Sequence, residues 1–184
     1  MRAPRQQSRG EVSRPADFQW IVDGHNAIFA VPGWERLQLE GKKREARQRL
    51  ERRLEEFGRA IGRQVWVVYD GNHMERNPDA IDRTHLRSIY ALPPEEADDR
   101  IRFLAEGLAR AGTGAVVVTS DRRTLASTLP NGTRWMDVRA FLRDVVDPAM
   151  IEPEKSDPRG FADIERYFLD AAGEEPEGDG RAGT

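Results

Sequence analysis

The sequence predicts an α/β fold, a three-layer sandwich in which helices cover both faces of a mostly parallel central sheet. Short apolar runs recur along the chain, and longer segments with helical periodicity alternate with them. The runs are apolar throughout, which is typical of strands buried on both faces. Helices interleaved with such strands indicate βαβ crossovers and therefore a parallel sheet.

The elements follow one another along the chain. Strands are predicted at residues 18–22, 65–69, 87–92, 115–118 and 133–137. Helices are predicted at residues 43–61, 95–111, 122–129, 138–146 and 160–171. The helix at 43–61 has the clearest pattern, because its apolar residues recur at helical spacing: Ala46, Leu50, Leu54, Phe57 and Ile61. Gly62 is expected to act as its C-terminal stop.

The 184 residues correspond to one domain of ordinary size, which we predict at residues 17–171. Residues 1–16 form a basic tail with almost no apolar side chains, and residues 172–184 form an acidic, glycine-rich tail. Both tails are expected to be disordered, because they cannot bury enough apolar surface to offset the entropy of ordering.

The composition excludes several classes of protein. No segment approaches the roughly 20 apolar residues that cross a bilayer, and the first residues lack the apolar block of a secretory signal. The chain contains no cysteine, which excludes disulfides and thiolate metal sites. We therefore expect a cytoplasmic protein with no membrane partner.

Charge is unevenly distributed along the chain. Residues 1–64 contain 14 Lys/Arg and 9 Asp/Glu, whereas residues 65–184 contain 15 and 23. Such a chain can hold a polyanion on one side and cations on another. Two solvated surfaces without a ligand are the alternative.

Three of the apolar strands end in an aspartate: Asp23, Asp70 and Asp121. The carboxyl ends of parallel strands form the crevice in which ligands bind, and neighbouring strands are only about 4.8 Å apart. Carboxylates crowded in this way favour a divalent cation such as Mg²⁺ or Mn²⁺. The alternative is that aspartate serves here as a turn former and helix N-cap.

A fourth acidic residue comes from the helix predicted at 95–111. Its core stripe contains Ala97 and Ile101, and at about 100° per residue Asp98 lies on the border of that stripe. Asp98 can therefore lean over the end of the sheet, whereas Asp99 is expected to face water. Acids in a first helical turn also interact favourably with the helix dipole.

Four motifs carry a resemblance to a known family. They are Val22-Asp23-Gly24-His25-Asn26, Val67-Val68-Tyr69-Asp70-Gly71, Ala97-Asp98-Asp99-Arg100-Ile101 and Val117-Val118-Thr119-Ser120-Asp121-Arg122. In this order they resemble the motifs of YacP-like NYN domains of the PIN-like nuclease superfamily, over roughly residues 18–145. Ala46-Arg47 with Leu50 resembles the Ala-Arg-x-x-Leu helix of that family. Glu96 departs from the family pattern, which usually has Thr or Ser before Ala-Asp-Asp.

The resemblance implies a PIN-like, Rossmann-like fold and metal-dependent endoribonuclease activity, with RNA, free or associated with the ribosome, as partner. It implies a catalytic site of four aspartates: Asp23, Asp70, Asp98 and Asp121. In the mechanism that we expect, Asp23, Asp98 and Asp121 bind Mg²⁺ or Mn²⁺. The residues expected to contact substrate are Asn26, Arg47, Ser120 and Arg122. Asn26 either orients Asp23, contacts phosphate or only forms the turn. A non-catalytic RNA- or ribosome-binding module on the same fold is the alternative function.

The remaining polar residues are less informative. Residues 42–53 contain seven cations, which either bind phosphate or form a solvated helix face paired with Glu45, Glu51, Glu55 and Glu56. We expect His25 to be a structural histidine, with substrate contact as the alternative, and His73 to lie in a polar loop. Trp20 and Trp66 are expected in the core, and Trp34 in a loop before a helix.

Two other enzyme classes do not fit the sequence. A phosphatase of the haloacid dehalogenase type needs a second aspartate two residues after its nucleophile, and Asp23-Gly24-His25 lacks it. No G-x-G-x-x-G or Walker-type loop follows any predicted strand, which argues against a nucleotide-binding enzyme of those types.

Overall fold

A computed structural model of the chain describes residues 18–71 and 81–146. The predicted tails, the helix predicted at 160–171 and His73 lie outside the described residues. Among the described residues, one sheet contains five parallel strands in the order β3-β2-β1-β4-β5. The strands are β1 (Gln19–Asp23), β2 (Val65–Asp70), β3 (Leu86–Ala91), β4 (Ala115–Val118) and β5 (Thr133–Met136). The predicted α/β class and parallel sheet are confirmed.

The helices of the described residues lie between these strands or after the last one. They are α1 (Gly24–Phe29), α2 (Pro32–Leu39), α3 (Lys43–Ile61), α4 (Ala97–Arg110) and α5 (Val138–Ala140). A π-helical turn, Phe141–Val146, continues α5. α3 has the predicted bounds, and Gly62 ends it in the left-handed conformation, with φ of 67°.

The core has two parts, one on each face of the sheet. On one face, Trp20 and Val67 pack with residues of the first three helices and the segment after β5, including Leu50 of α3 and Phe141. On the other face, Ile21, Val68 and Val117 pack with α4 and Leu125. The alternating side chains of a strand thus enter different layers, which explains why every residue of β4 is buried.

β1 lies at the centre of the sheet, between β2 and β4. Val22 pairs with Val118, and Asp23 pairs with Val68. The chain proceeds from β1 to β2 and β3 on one side and then returns to β4 and β5 on the other. This reversal of strand order beside β1 is a topological switch point, where the carboxyl ends of the strands leave a crevice.

One expected helix is absent. The segment 122–129 contains turns and a short 3₁₀ helix, Ala126–Thr128, so the prediction of a helix there was wrong. The hydroxyls of Ser127 and Thr128 donate to the carbonyls of Arg123 and Thr124, and such local side-chain bonds compete with regular helix formation.

The two short helices α1 and α2 were not predicted, and the predicted location of Trp34 was wrong for this reason. This residue lies within α2, not in a loop before a helix, and it is buried. α1 has six residues and α2 has eight, too few turns for a periodic apolar stripe to show in the sequence. Among the helices of the described residues, none is long and apolar enough to cross a membrane.

Candidate active site

The Asp23 carboxylate is buried at the end of β1, with 2% of the residue exposed. It is the N-cap of α1: the Asn26 backbone N–H donates to its Oδ1 at 3.0 Å. The Asn26 side-chain amide donates to its Oδ2. A buried carboxylate is costly unless hydrogen-bonded, so Asn26 both satisfies and orients Asp23. Of the three roles expected for Asn26, the geometry supports this one.

Thr119, the residue after β4, links Asp23 to Asp121. Its buried hydroxyl donates to Asp23 Oδ2 at 3.2 Å and accepts the Asp121 backbone N–H at 3.0 Å. The Asn26 amide also donates to this hydroxyl, at 3.2 Å. Thr119 was not among the residues expected at the site. The available signal was its position: Thr119 is a hydroxyl residue next to Ser120, at the end of the strand that neighbours β1.

Asp70 connects β2 to α4. Its Oδ1 accepts the backbone N–H of Ala97, the first residue of α4, at 2.7 Å. The Asp70 carboxylate thereby satisfies an otherwise unpaired N–H at a helix start. The bond fixes the start of α4 at the carboxyl edge of the sheet, beside Asp98.

Asp98 is half-buried, as expected from its place at the border of the α4 stripe. Burial, followed by the charges of Asp23, Asp121 and Asp70, raises the pKa of Asp98 to about 6. Asp98 is therefore close enough to the other three aspartates, which lie far from it in the sequence, to be repelled by their charges. Asp99 faces water and pairs with Arg102 at 2.9 Å, which confirms the expectation for it.

Asp121 is oriented differently from the other three. Its Oδ1 accepts the Thr124 backbone N–H at 2.8 Å, and this hydrogen bond lowers the pKa of Asp121. Among the described residues, Ser120, Asp121 and Arg122 are not part of the cleft lining. Asp121 therefore lies at the margin of the acidic site, although its charge reaches Asp98.

Asp23, Asp70 and Asp98 line a cleft of about 550 Å³. This volume is within the usual range of about 300–1,000 Å³ for ligand sites. Its lining comprises Asp23, His25, Asn26, Asp70, Gly71, Pro93, Pro94, Glu95, Glu96, Ala97 and Asp98. Glu96, the residue that departs from the family pattern, lies at this cleft. His25 is exposed in its wall, which overturns the expectation of a structural histidine.

The donor chemistry of this cleft fits a hard divalent cation. Carboxylate oxygens are the ligands that Mg²⁺ and Mn²⁺ prefer, and a cation would relieve the repulsion that raises the pKa of Asp98. Within residues 18–71 and 81–146, however, no group of three acidic or histidine side chains is already arranged to hold a metal.

The cations near the site divide into paired and aromatic-packed groups. Arg49 pairs with Glu45, and Arg53 with Glu56, as a solvated helix face requires. Arg47 instead lies over the Tyr90 ring, with its guanidinium carbon 5.9 Å from the centroid. Arg122 lies over the Trp135 ring at 5.4 Å, and Trp135 in turn donates from its indole N–H to the Thr119 carbonyl at 3.1 Å.

Glu51 does not belong to the solvated face. It is buried, with 6% exposed, on the side of α3 that packs against the sheet. Burial and then the charge of Glu51 raise the pKa of Tyr69 well above its ordinary value. Of the four glutamates considered as partners on a solvated helix face, Glu51 therefore does not lie on that face.

A parallel sheet with acids at its carboxyl edge is compatible with the PIN-like nuclease superfamily, which includes the NYN domains. The profile of the YacP-like NYN domain matches residues 20–157, and the chain belongs to that family. It is 31% identical over 126 residues to the protein YacP of Bacillus subtilis (strain 168), which covers 68% of this chain and 73% of YacP.

Two crystal structures of Rae1 (YacP) from Bacillus subtilis have the same fold. One covers 84% of this chain and 81% of Rae1 at 27% identity, with a TM-score of 0.59. The other, of a mutant, covers 70% and 74% at 29% identity, with a TM-score of 0.56. The similarity supports the predicted PIN-like, three-layer architecture.

Proposed function

We propose that this protein is a metal-dependent endoribonuclease that hydrolyses RNA phosphodiester bonds in the acidic cleft. The observation that carries the proposal is the convergence of Asp23, Asp70 and Asp98 on one cleft. Burial and the charges of the other aspartates raise the pKa of Asp98, and perturbed carboxyls of this kind are concentrated at functional sites. Membership of a nuclease superfamily agrees with this.

The residues that would hold Mg²⁺ or Mn²⁺ are Asp23, Asp98 and Asp121. A bound divalent ion acidifies water and neutralises charge on the phosphate during hydrolysis. Asp121 accepts the Thr124 backbone N–H at its Oδ1, whereas Asp23 is oriented by Asn26 and Thr119. Asp70 keeps the α4 start, and hence Asp98, at the cleft.

The RNA backbone would be bound by cations around the cleft, because the cleft itself is acidic. Arg122 is adjacent to Asp121 and is held over Trp135. Arg47 lies on the first half of α3, over Tyr90 near the carboxyl end of β3. Ser120, exposed beside Asp121, is a third contact that we propose. A cytoplasmic location goes with this function, since RNA is abundant there.

A non-catalytic RNA-binding module, ribosome-associated or not, is the second candidate function. The observation that favours it is that, within the part of the chain that the structure describes, no three side chains form a ready-made metal site. In that case the aspartates would have no catalytic role, and RNA would bind through the same cations without being cleaved.

The test is incubation of the purified protein with total RNA and Mg²⁺ or Mn²⁺, followed by mapping of new RNA ends. We expect cleavage that stops on chelation, and none with Asp121→Asn or Asp23→Asn. Asp144→Asn, at an aspartate outside the cleft lining that pairs with its neighbour Arg143, is the matched control and should cleave normally. An unaltered RNA pool, or cleavage by Asp121→Asn at the parental rate, contradicts the proposal.

A further inference from the structure

The wall of the cleft contains an exposed aromatic ring. His25 follows Asp23 and Gly24 at the start of α1 and lines the cleft together with Asn26. Its ring centroid lies 4.7 Å from that of Phe29, with the two planes inclined by 36°. The two residues are four apart on a helix, the spacing at which side chains meet. Phe29 thus supports the imidazole from one side while its remaining surface stays accessible.

Without a bound cation, the charged residues among the other lining residues repel the phosphate of a nucleotide. Five are carboxylates, Asp23, Asp70, Glu95, Glu96 and Asp98, and the lining contains no lysine or arginine. The uncharged residues are glycine, prolines, alanine and asparagine, apart from His25. Beside a bound cation, the cleft offers an incoming nucleotide one π surface, and the contact of that surface with a base does not depend on phosphate charge.

We propose that His25 is the residue on which a nucleobase next to the scissile phosphate stacks. This inference rests on the proposed endoribonuclease function and requires that the base beside the scissile phosphate is unpaired. A base in a duplex is already stacked on its neighbours, whereas an unpaired base can be splayed out onto an aromatic side chain. Phe29 is a positioning residue that fixes the plane of the imidazole.

The test uses a single-stranded RNA oligonucleotide with a fluorescent aminopurine base, bound to the full chain carrying Asp121→Asn so that it is not cleaved. Stacking quenches aminopurine, and we expect quenching with His25 and with His25→Phe but not with His25→Ala. His25→Ala should weaken binding by about 5- to 100-fold, the usual effect of removing one stacking side chain. His25→Phe should stay within a few-fold of the parent, because it keeps the ring.

An abasic nucleotide at the stacked position provides a second arm. It should weaken binding to the parent as much as His25→Ala does, and should cause no further loss in the His25→Ala protein. Phe103→Ala is the matched control, because Phe103 is 56% exposed on α4 outside the cleft lining; we expect unchanged binding.

Two results would overturn the stacking role. One is equal binding by His25→Ala and the parent; the other is equal weakening by His25→Phe and His25→Ala, which would indicate a hydrogen bond from the imidazole. Either result leaves cleavage by the unmodified protein intact and so affects only His25. Failure of the unmodified protein to cleave any RNA with Mg²⁺ or Mn²⁺ would instead remove the proposed function.

Discussion

The buried hydroxyl of Thr119 donates a hydrogen bond to the Asp23 carboxylate at 3.2 Å, across the junction between β1 and β4. The same oxygen accepts the Asp121 backbone N–H, so that one side chain couples two of the proposed metal ligands. The strand register makes this possible, because Val22 and Val118 are paired and the next residues therefore leave the sheet side by side.

Thr119→Val should lower both stability and activity. It keeps the shape of the side chain but removes one donor from the buried Asp23 carboxylate and the acceptor of the Asp121 N–H, which costs about 1–3 kcal/mol of unfolding free energy. RNA cleavage should fall at least tenfold, since Asp23 and the Asp121 loop lose their common partner. Urea denaturation and initial cleavage rates measure the two effects. Thr119→Ser should behave like the parent, and a Thr119→Val protein indistinguishable from it would refute this role.

Gly24→Ala should destabilise the fold. A Cβ at this position would overlap the Tyr69 ring, which packs against the start of α1, and overpacking of this kind typically costs about 1–3 kcal/mol. Gly33→Ala is the matched control within α2, because no atom lies within 4 Å of the added Cβ; it should stabilise by about 0.5–1 kcal/mol through helix propensity. Thermal denaturation of both proteins is the measurement, and equal shifts in the same direction would contradict the packing.

Asp98→Asn should stabilise the metal-free protein in a pH-dependent way. The pKa of Asp98 is about 6 in the folded protein, against an ordinary value of 3.8. Between these values the folded chain keeps the proton that the unfolded chain has lost, so stability contributed by Asp98 falls as pH rises from 3.8 to about 6. The amide of the Asp98→Asn protein cannot ionise, and this variant therefore avoids that loss.

The size of this effect is limited by solvent. The full shift would correspond to roughly 3 kcal/mol, and screening of a half-exposed carboxyl reduces it to about 1 kcal/mol. Urea denaturation in EDTA should show that the stability advantage of Asp98→Asn is larger near neutral pH than in acid near the ordinary pKa of aspartate. A difference that is the same under both conditions would show that neither burial nor the neighbouring charges raise the pKa of Asp98.

Arg47→Ala should weaken RNA binding and should make the affinity for RNA less dependent on salt concentration. If Arg47 contacts phosphate, its removal reduces the slope of log affinity against log salt concentration by about 1. Arg49→Ala, two residues further along α3 and paired with Glu45, should leave the slope unchanged. Titrations with RNA at several salt concentrations measure this slope for each variant. Equal slopes for both variants would assign Arg47 to the packing of Tyr90.

The sequence predicted most of the sheet because β1, β2 and β4 are largely apolar runs. β4 and α3 have the predicted bounds, and Asp23, Asp70 and Asp98 lie together because each ends a strand or begins a helix at the same edge. What periodicity could not supply is side-chain direction. Asp121 turns onto the Thr124 N–H, and His25 faces the cleft, because local backbone geometry decides both.

The buried polar groups were the least predictable part of the site. Thr119 and Glu51 are polar residues of types that usually lie at the surface, yet both are buried. Their roles depend on partners far along the chain, Asp23 for the one and Tyr69 for the other, and no local pattern connects them.

Calorimetric titration with Mn²⁺ tests most directly whether the aspartates form one cation site. We predict that the unmodified protein binds Mn²⁺, that Asp98→Asn loses most of this affinity, and that Asp99→Asn, whose carboxylate faces water beside Arg102, binds like the unmodified protein. Mn²⁺ binding that is the same in all three proteins, or absent from the unmodified one, would contradict a metal site at these residues.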